Sequence, residues 1–396
     1  MQLDRDVVQA KVGHVFTENF EHFGELGAAV SVWQHGQPVL ELVGGFRDAH
    51  RSQQWTDDTL VLVWSATKGI GSACLLHALR EAKLPLSRRV SEIWPEFNQA
   101  NKGPITIGQL MSHSAGLCAL ETTVDVLDYP AVIRALEQQP PLWIPGSAHG
   151  YHARTFGFLI DELNRRITGL PISQYWAQNF AGPLGLDFWI GLPNELNHRV
   201  ATIYPGQAGK PPEPAEFYRK LTTPGTLQRL VFNSPGGLQS ISAMNRPEIR
   251  AQPVVSFGGI GSASALAKFY SLLGTGGEWQ SRRYFDHQTL RHAESILQQG
   301  IDRVFEIPTA FSAGFMKDPS FAQRRIFGPE PSAFGHPGAG GCHAFADPKN
   351  AIGFAYVMNQ MEQSVLPSAK ALRLVAAVYS DGGERFETGE SAEIGS

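Results

Sequence analysis

The residues of this chain best suited to covalent chemistry are a serine and a lysine three positions apart, Ser65 and Lys68. Residues at this spacing share one face of a helix, so the lysine amine can reach the serine hydroxyl. If burial lowers the pKa of the lysine, the amine can accept the hydroxyl proton and make the serine a nucleophile. The free N–H groups at a helix start also favour a developing oxyanion. The pair indicates acyl transfer, although a helix cap followed by a surface lysine has the same spacing.

The elements that must position this pair follow from hydrophobic periodicity. Spaced apolar residues predict an amphipathic helix over 3–22, and two β-rich runs predict a hairpin of Ala28–Trp33 with Val39–Val43. The apolar run Leu60–Trp64 leads into Ser65. The patterns further along predict helices over Gly69–Lys83, Thr106–Ser112, Pro130–Gln138, Thr155–Thr168, Ser264–Leu273 and Ala369–Val378, and strands over Ala310–Met316, His343–Ala346 and Ala351–Met358.

The order of these elements predicts an α/β fold with two lobes. The β-rich ends of the chain, 1–68 and 251–380, are expected to form one mostly antiparallel sheet flanked by helices. Residues 69–250 are expected to form an inserted helical domain. Within it, 200–255 is rich in Pro, Gly and Asn, which predicts a long irregular excursion that shapes a site. The acidic tail 381–396 is expected to be disordered.

Composition excludes several classes of function. The chain has 396 residues, 33 basic and 37 acidic, so it lacks the basic surplus that nucleic acid or a membrane surface requires. It has three cysteines and no CxxC, which argues against a disulfide framework or a zinc site. No signal peptide and no apolar run of membrane-spanning length is visible, so a cytoplasmic location is expected. No cofactor or metal is expected, and the oligomeric state is left open.

Three further segments carry a family resemblance. Residues 105–117 read ITIGQLMSHSAGL, residues 145–153 read PGSAHGYHA, and residues 183–186 read PLGL. Together with the Ser-x-x-Lys pair, they resemble motifs of the class C β-lactamase and penicillin-binding-protein superfamily. Within it, the chain is most similar to the family VIII carboxylesterases. The resemblance spans residues 25–360 and implies the β-lactamase-like fold.

The resemblance also implies a division of labour in the site. Ser65 falls on the nucleophile, Lys68 on its base and Tyr151 on the tyrosine that returns a proton to the leaving group. The backbone N–H groups of Ser65 and Ala339 are expected to form the oxyanion hole. Acyl transfer needs both a base and an acid, and this set supplies them.

Substrate contacts are expected at His152, Ala153, His336 and Gly338. Two of these positions depart from the β-lactamase pattern: Ala153 replaces an asparagine, and His336 replaces a lysine that faces the substrate carboxylate. An amide donor and a fixed cation are therefore lost. This combination favours small, neutral carboxylic esters. The alternatives are β-lactam, D,D-peptide or amide hydrolysis, acyl transfer with the same site, and a catalytically silent scaffold.

Overall fold

The computed structural model describes residues 1–206, 214–364 and 366–380. The predicted tail 381–396 lies outside the described residues. The helices of the described part are α1 (Arg5–His22), α2 (Thr67–Glu81), α3 (Ile107–Met111), α4 (Tyr129–Gln138), α5 (Thr155–Thr168), α6 (Ile172–Trp176), α7 (Gly182–Leu184), α8 (Ala215–Thr222), α9 (Leu227–Asn233), α10 (Pro247–Arg250), α11 (Ala263–Gly274), α12 (His287–Glu294) and α13 (Ala369–Tyr379).

The strands of the same part are β1 (Gly27–Gln34), β2 (Gln37–Gly45), β3 (Val61–Leu62), β4 (Phe188–Ile190), β5 (Gly259–Gly261), β6 (Glu278–Trp279), β7 (Arg282–Arg283), β8 (Gln298–Ile301), β9 (Pro308–Phe311), β10 (Met316–Lys317), β11 (Phe334–Pro337), β12 (His343–Asp347) and β13 (Ile352–Met358). Eight of them form one sheet in the order β2-β1-β13-β12-β11-β10-β9-β8.

The two ends of the chain meet in this sheet, as its second and third strands. Strand β1 pairs antiparallel with β13, so that Ala28 lies opposite Met358. Every neighbouring pair in the sheet is antiparallel. The expected α/β fold with a mostly antiparallel sheet is confirmed. The division into one domain formed by residues 1–68 and 251–380 and a second domain formed by residues 69–250 stays a prediction.

Helices cover both faces of the sheet. Gly353 is the cross-strand partner of Trp33 in β1 and packs against helix α11. Gly44 is the cross-strand partner of Ala28 in β1 and packs against Phe16 of helix α1. Cross-strand partners share a face of the sheet, and Ala28 and Trp33 are five residues apart. Alternate residues of a strand point to opposite faces, so α11 and α1 lie on opposite sides of β1. All eight residues of β1 are consequently buried.

Helix α2 carries the site and lies in the core. Its residues from Thr67 to Leu79 are all buried, and it packs against α5 and α6. Just before it, Val63 donates a backbone hydrogen bond to Gly259 at 2.9 Å, which ties the entry of the helix to strand β5. No helix in the described ranges is long and apolar enough to cross a bilayer.

Several predicted boundaries hold and others are wrong. The helix over Thr155–Thr168 is confirmed to the residue. The helix predicted to begin at Ser264 begins one residue earlier, because Ser262 caps it by accepting the N–H of Ala265. The single strand predicted over Ala310–Met316 is wrong, since a turn separates β9 from β10. The excursion over 200–255 is not wholly irregular, because it contains α8, α9 and α10.

The packing of α11 on the sheet predicts a stability difference between two glycines. A Cβ at Gly353 would come 2.3 Å from the carbonyl oxygen of Ala267, whereas one at Gly13 on α1 would meet only Gln9 at 4.0 Å. Overpacking of this kind costs about 1–3 kcal/mol, so Gly353→Ala should lower the free energy of unfolding. Gly13→Ala should raise it by roughly 0.5–1 kcal/mol, since alanine is the better helix former. Urea unfolding of both variants checks this, and equal effects would contradict it.

Candidate active site

The turn that carries Ser65 is held by its neighbours. Ser65 lies in a 3₁₀ turn, Trp64–Ala66, directly before α2, and it is partly exposed. Trp64 has a φ of 51°, a left-handed conformation that needs support from its surroundings. Thr67 supplies it: its hydroxyl donates to the carbonyl of Trp64 at 2.5 Å and accepts the N–H of Gly259 at 2.8 Å. The serine is therefore presented on a fixed turn.

The amine of Lys68 lies beside this serine in a fully buried position. Its Nζ is 3.1 Å from Ser65 Oγ, 2.9 Å from the carbonyl oxygen of Ala153 and 2.7 Å from that of Ser256. Burial holds the pKa of Lys68 well below its usual range. A neutral amine has two N–H groups and one lone pair. Because the two carbonyls can only accept, the lone pair of the neutral form faces the Ser65 hydroxyl.

Tyr151 completes this group. Lys68 Nζ lies 4.9 Å from the centre of its ring. Burial raises the pKa of Tyr151 above its usual range, and a hydrogen bond with the Ser65 side chain offsets part of that rise. Burial thus favours the neutral form of both groups. The phenol keeps its proton in the free protein, and Lys68 is the available base.

The ring of Tyr151 is enclosed by other rings. Phe305 stacks on it with centroids 4.8 Å apart and an angle of 24° between the planes. His113, which is buried, lies 5.2 Å from it, and His336 lies 6.0 Å from it. Such contacts limit the positions that the phenol can take.

His336 on β11 is buried and uncharged. Its Nδ1 lies 2.8 Å from the carbonyl oxygen of Pro337, and its Nε2 has no hydrogen-bond partner among the described residues. Burial, together with the nearby Lys68, lowers the pKa of His336 to about 3. The imidazole is therefore neutral across the ordinary pH range.

Gly338 brings the end of β11 against the nucleophile turn. A Cβ at this position would lie 2.1 Å from the carbonyl oxygen of Val63, so a larger residue would push the strand away. Ala339 follows at the start of a short turn, Ala339–Gly341. The strand end therefore lies close to the segment that holds Ser65. The oxyanion-hole role of Ser65 and Ala339 stays a prediction.

His152 and Ala153, the two predicted substrate contacts that follow Tyr151, make their polar contacts within the protein. His152 is buried; its Nε2 accepts the N–H of Leu117 at 3.0 Å, and its Nδ1 lies 2.7 Å from the carbonyl of Gly150. Both ring nitrogens are used within the fold. Ala153 is buried and contributes its carbonyl to Lys68. Direct contact of either side chain with substrate stays a prediction.

Ser256 is a contributor that sequence reasoning missed. Its carbonyl holds Lys68, while its hydroxyl donates to the carbonyl of Arg154 at 2.6 Å and accepts the N–H of Gly157 at 2.8 Å. It therefore joins the entry of α5 to the base. Since every residue has a carbonyl, no residue-type signal could have found this contact.

The excursion over 200–255 reaches the site through aromatic rings. Phe217 packs on Phe232 at 5.5 Å and on Phe305 at 5.6 Å between centroids. Tyr218 packs on Phe217 at 5.3 Å, whereas Leu230 is 37% exposed. A continuous row of rings thus runs from α8 to the ring stacked on Tyr151. Among the described residues, no cluster of three or more His, Cys, Asp or Glu could hold a metal ion.

Comparison with known proteins places this geometry in a family. The family model described as Beta-lactamase matches residues 16–378. The chain belongs to the Beta-lactamase family. Esterase/beta-lactamase LipL of Mycobacterium tuberculosis is 28% identical over 354 residues, which cover 85% of this chain and 77% of that protein.

Two solved structures from the comparison cover nearly the whole chain. A penicillin-binding protein homologue from Caulobacter crescentus has a TM-score of 0.83 and 33% identity, with 95% of this chain and 97% of that chain covered. A family VIII carboxylesterase has a TM-score of 0.82 and 33% identity, with 94% and 97% covered. The resemblance expected from the motifs, and the β-lactamase-like fold, are confirmed.

The environment of Lys68 predicts a loss of turnover that is specific to this lysine. Lys68→Met keeps most of the length of the side chain but removes the amine, so kcat for a p-nitrophenyl ester should fall about 10²–10⁴-fold if Lys68 is the base. Lys102 is the matched control, because it is also buried and donates to two carbonyls, those of Glu137 and Gln139 at 2.8 Å. Lys102→Met should lower stability and leave kcat within threefold of the wild type. Equal losses in both variants would contradict a base at Lys68.

The same environment predicts the pH profile. A base at Lys68 requires the neutral amine, which accumulates as the pH rises through the lowered pKa of this group. Hydrolysis should therefore rise with pH and reach its plateau well below about pH 10, where an ordinary lysine titrates. Measurement of kcat/KM from pH 5 to 10 checks this. A profile that rises only near pH 10 would show an unperturbed lysine.

Proposed function

We propose that this chain is a serine hydrolase that cleaves small carboxylic esters through an acyl-serine intermediate. The observation that carries the proposal is the buried amine of Lys68, held by two carbonyls with its remaining position at Ser65 Oγ. The similarity to a family VIII carboxylesterase and to a protein named esterase/beta-lactamase supports it.

Acylation uses the neutral pair of Lys68 and Tyr151. Ser65 Oγ attacks the ester carbonyl carbon while Lys68 Nζ takes its proton. The negative charge moves to the carbonyl oxygen, which the N–H groups of Ser65 and Ala339 stabilise. As the tetrahedral intermediate collapses, the carbon–oxygen bond to the alcohol breaks. Tyr151 gives its proton to the departing alkoxide and is reprotonated from Lys68, so the alcohol leaves neutral.

Deacylation repeats these steps with water. Lys68, neutral again after the alcohol has left, accepts a proton from a water molecule through the Tyr151 hydroxyl. The resulting hydroxide attacks the acyl carbon, and the second intermediate releases the acid while Ser65 Oγ regains a proton from Lys68. The same two side chains therefore serve as base and acid in both halves of the reaction.

The charges around the site favour a neutral substrate. His336 is uncharged, and the amine of Lys68 is directed to Ser65. Arg154, the nearby buried guanidinium, donates to the carbonyls of Phe232 and Gly237. His336 and Lys68 therefore offer no fixed cation to a substrate carboxylate, and both terminal nitrogens of Arg154 are bonded to backbone carbonyls. An ester without a carboxylate fits this arrangement better than a β-lactam or a peptide C-terminus.

Replacement of the nucleophile tests the proposal. Ser65→Ala should abolish hydrolysis of p-nitrophenyl butyrate and labelling by a fluorophosphonate probe, since both need the hydroxyl. On the wild type, the same ester, nitrocefin and p-nitrobutyranilide are compared in one preparation. Ester turnover should exceed the other two by far. Full ester turnover by Ser65→Ala would refute the nucleophile, and comparable nitrocefin turnover would refute the substrate preference.

Restoring the lost polar groups should change the preference. The double variant Ala153→Asn with His336→Lys adds an amide donor and a cation beside the site, and is expected to raise nitrocefin kcat/KM relative to the ester about tenfold. A cation that meets a carboxylate adds roughly 1.5–3 kcal/mol, which bounds the gain. His336→Gln, which adds no charge, is the control. No gain in the double variant would show that these positions do not set the preference.

A further inference from the structure

Asp302 is a buried carboxylate that accepts a hydrogen bond from the backbone of Tyr151. No sequence motif indicated a role for it. It lies between β8 and β9, with no exposure to solvent. Its Oδ1 accepts three backbone N–H groups: that of Val304 at 2.7 Å, that of Phe305 at 2.9 Å and that of Tyr151 at 3.2 Å. One oxygen atom thus holds the catalytic tyrosine to a loop that is remote in sequence.

The other oxygen and the loop backbone strengthen this connection. Asp302 Oδ2 accepts the hydroxyl of Thr309 at 3.3 Å, and that hydroxyl is also 2.8 Å from His149 Nε2. Arg303 donates its backbone N–H to the carbonyl of His149 at 3.0 Å. The segment before Tyr151 is therefore tied to the loop after Asp302 at a second point.

The same carboxylate also holds the backbone of Phe305, whose ring stacks on that of Tyr151. Asp302 accepts the N–H of Phe305, whose ring stacks on that of Tyr151 at 4.8 Å. Tyr151 is thus held through its own backbone and through its stacking partner. Burial raises the pKa of Asp302 to about 6, although the backbone N–H groups offset part of the rise. A carboxylate is costly to bury, and one of the three N–H groups that this one accepts is that of the catalytic tyrosine.

We propose that Asp302 is a positioning residue for Tyr151, which keeps the phenol within reach of Ser65 and Lys68. The inference rests on the proposed function, in which Tyr151 moves protons between the base and the leaving group. Asp302 itself touches neither substrate nor the reacting atoms. It acts by limiting where the phenol oxygen can lie, and a displacement of about 1 Å can reduce a rate 10²-fold.

The first test compares two substitutions of the carboxylate. Asp302→Ala leaves three N–H groups without their acceptor, so kcat for p-nitrophenyl butyrate should fall about 10²-fold while KM changes less than threefold. Asp302→Asn keeps an oxygen acceptor and should recover activity to within about fivefold of the wild type. Wild-type kcat in Asp302→Ala would overturn the proposal, as would an Asp302→Asn variant as impaired as Asp302→Ala.

A double-mutant cycle separates positioning from a general loss of structure. If Asp302 acts through Tyr151, then Asp302→Ala should cost less than threefold in a Tyr151→Phe background, because the phenol is already absent. A full 10²-fold loss in that background would overturn the proposal. The matched control is Asp318, a partly buried carboxylate that accepts the N–H groups of Ile326 and Phe327 in another loop. Asp318→Ala should lower the melting temperature and leave kcat within threefold.

A second variant keeps the test decisive if Asp302→Ala does not fold. Phe305→Leu leaves the carboxylate and its hydrogen bonds in place but removes the stacked ring. Its kcat should fall about tenfold in the wild type and less than twofold with Tyr151→Phe. Equal losses in both backgrounds would overturn the proposal.

The failure of this inference can be distinguished from the failure of the proposed function. Nitrocefin turnover comparable to ester turnover refutes the proposed substrate preference alone, because it leaves Ser65 as the nucleophile. In that case the rate at which a fluorophosphonate labels Ser65 replaces turnover as the measurement. Slower labelling in Asp302→Ala, restored by Asp302→Asn, supports the positioning role, and unchanged labelling overturns it.

Discussion

The structure around the site depends on keeping one lysine amine out of water. Lys68 Nζ lies between the carbonyls of Ala153 and Ser256, which are 85 and 188 residues away in sequence. Removing an ammonium from solvent is unfavourable, so burial lowers the pKa of the amine. The partners of the amine are two carbonyls rather than a carboxylate. The arrangement therefore yields a neutral base, but it does so only if α2 is buried and both carbonyls are held in place.

Hydrogen bonds between a few polar side chains and the backbone hold that arrangement together. Thr67 fixes the strained turn at Trp64 through a carbonyl and an N–H group. Ser256 bridges to α5 through two further backbone groups, and Asp302 accepts three N–H groups, one of them that of Tyr151. Each of these polar side chains is satisfied inside the core, where an unpaired group would be costly. The loops of the site are therefore held by specific hydrogen bonds, as its helices are.

The electrostatic character of the site follows from the same burial. The pKa values of His336 and His152 are lowered to about 3 and 4 mainly by desolvation, and that of Tyr151 is raised by the same cause. The neutral forms of these three groups are therefore favoured in the free protein. In the proposed function, His336 therefore offers a substrate no fixed charge, while Lys68 keeps its contact with Ser65.

The sequence by itself determined the family and the antiparallel α/β architecture, and it predicted Ser65 and Lys68 as the catalytic pair. These were accessible because Ser65 and Lys68 are local in sequence, and because helix and strand periods are local patterns such as that of Thr155–Thr168. Only the tertiary structure decided which groups hold Lys68, that His152 is used within the fold, and that Asp302 lies behind Tyr151. The reason is that these contacts join distant segments through backbone carbonyls and N–H groups, which every residue has and no residue type marks.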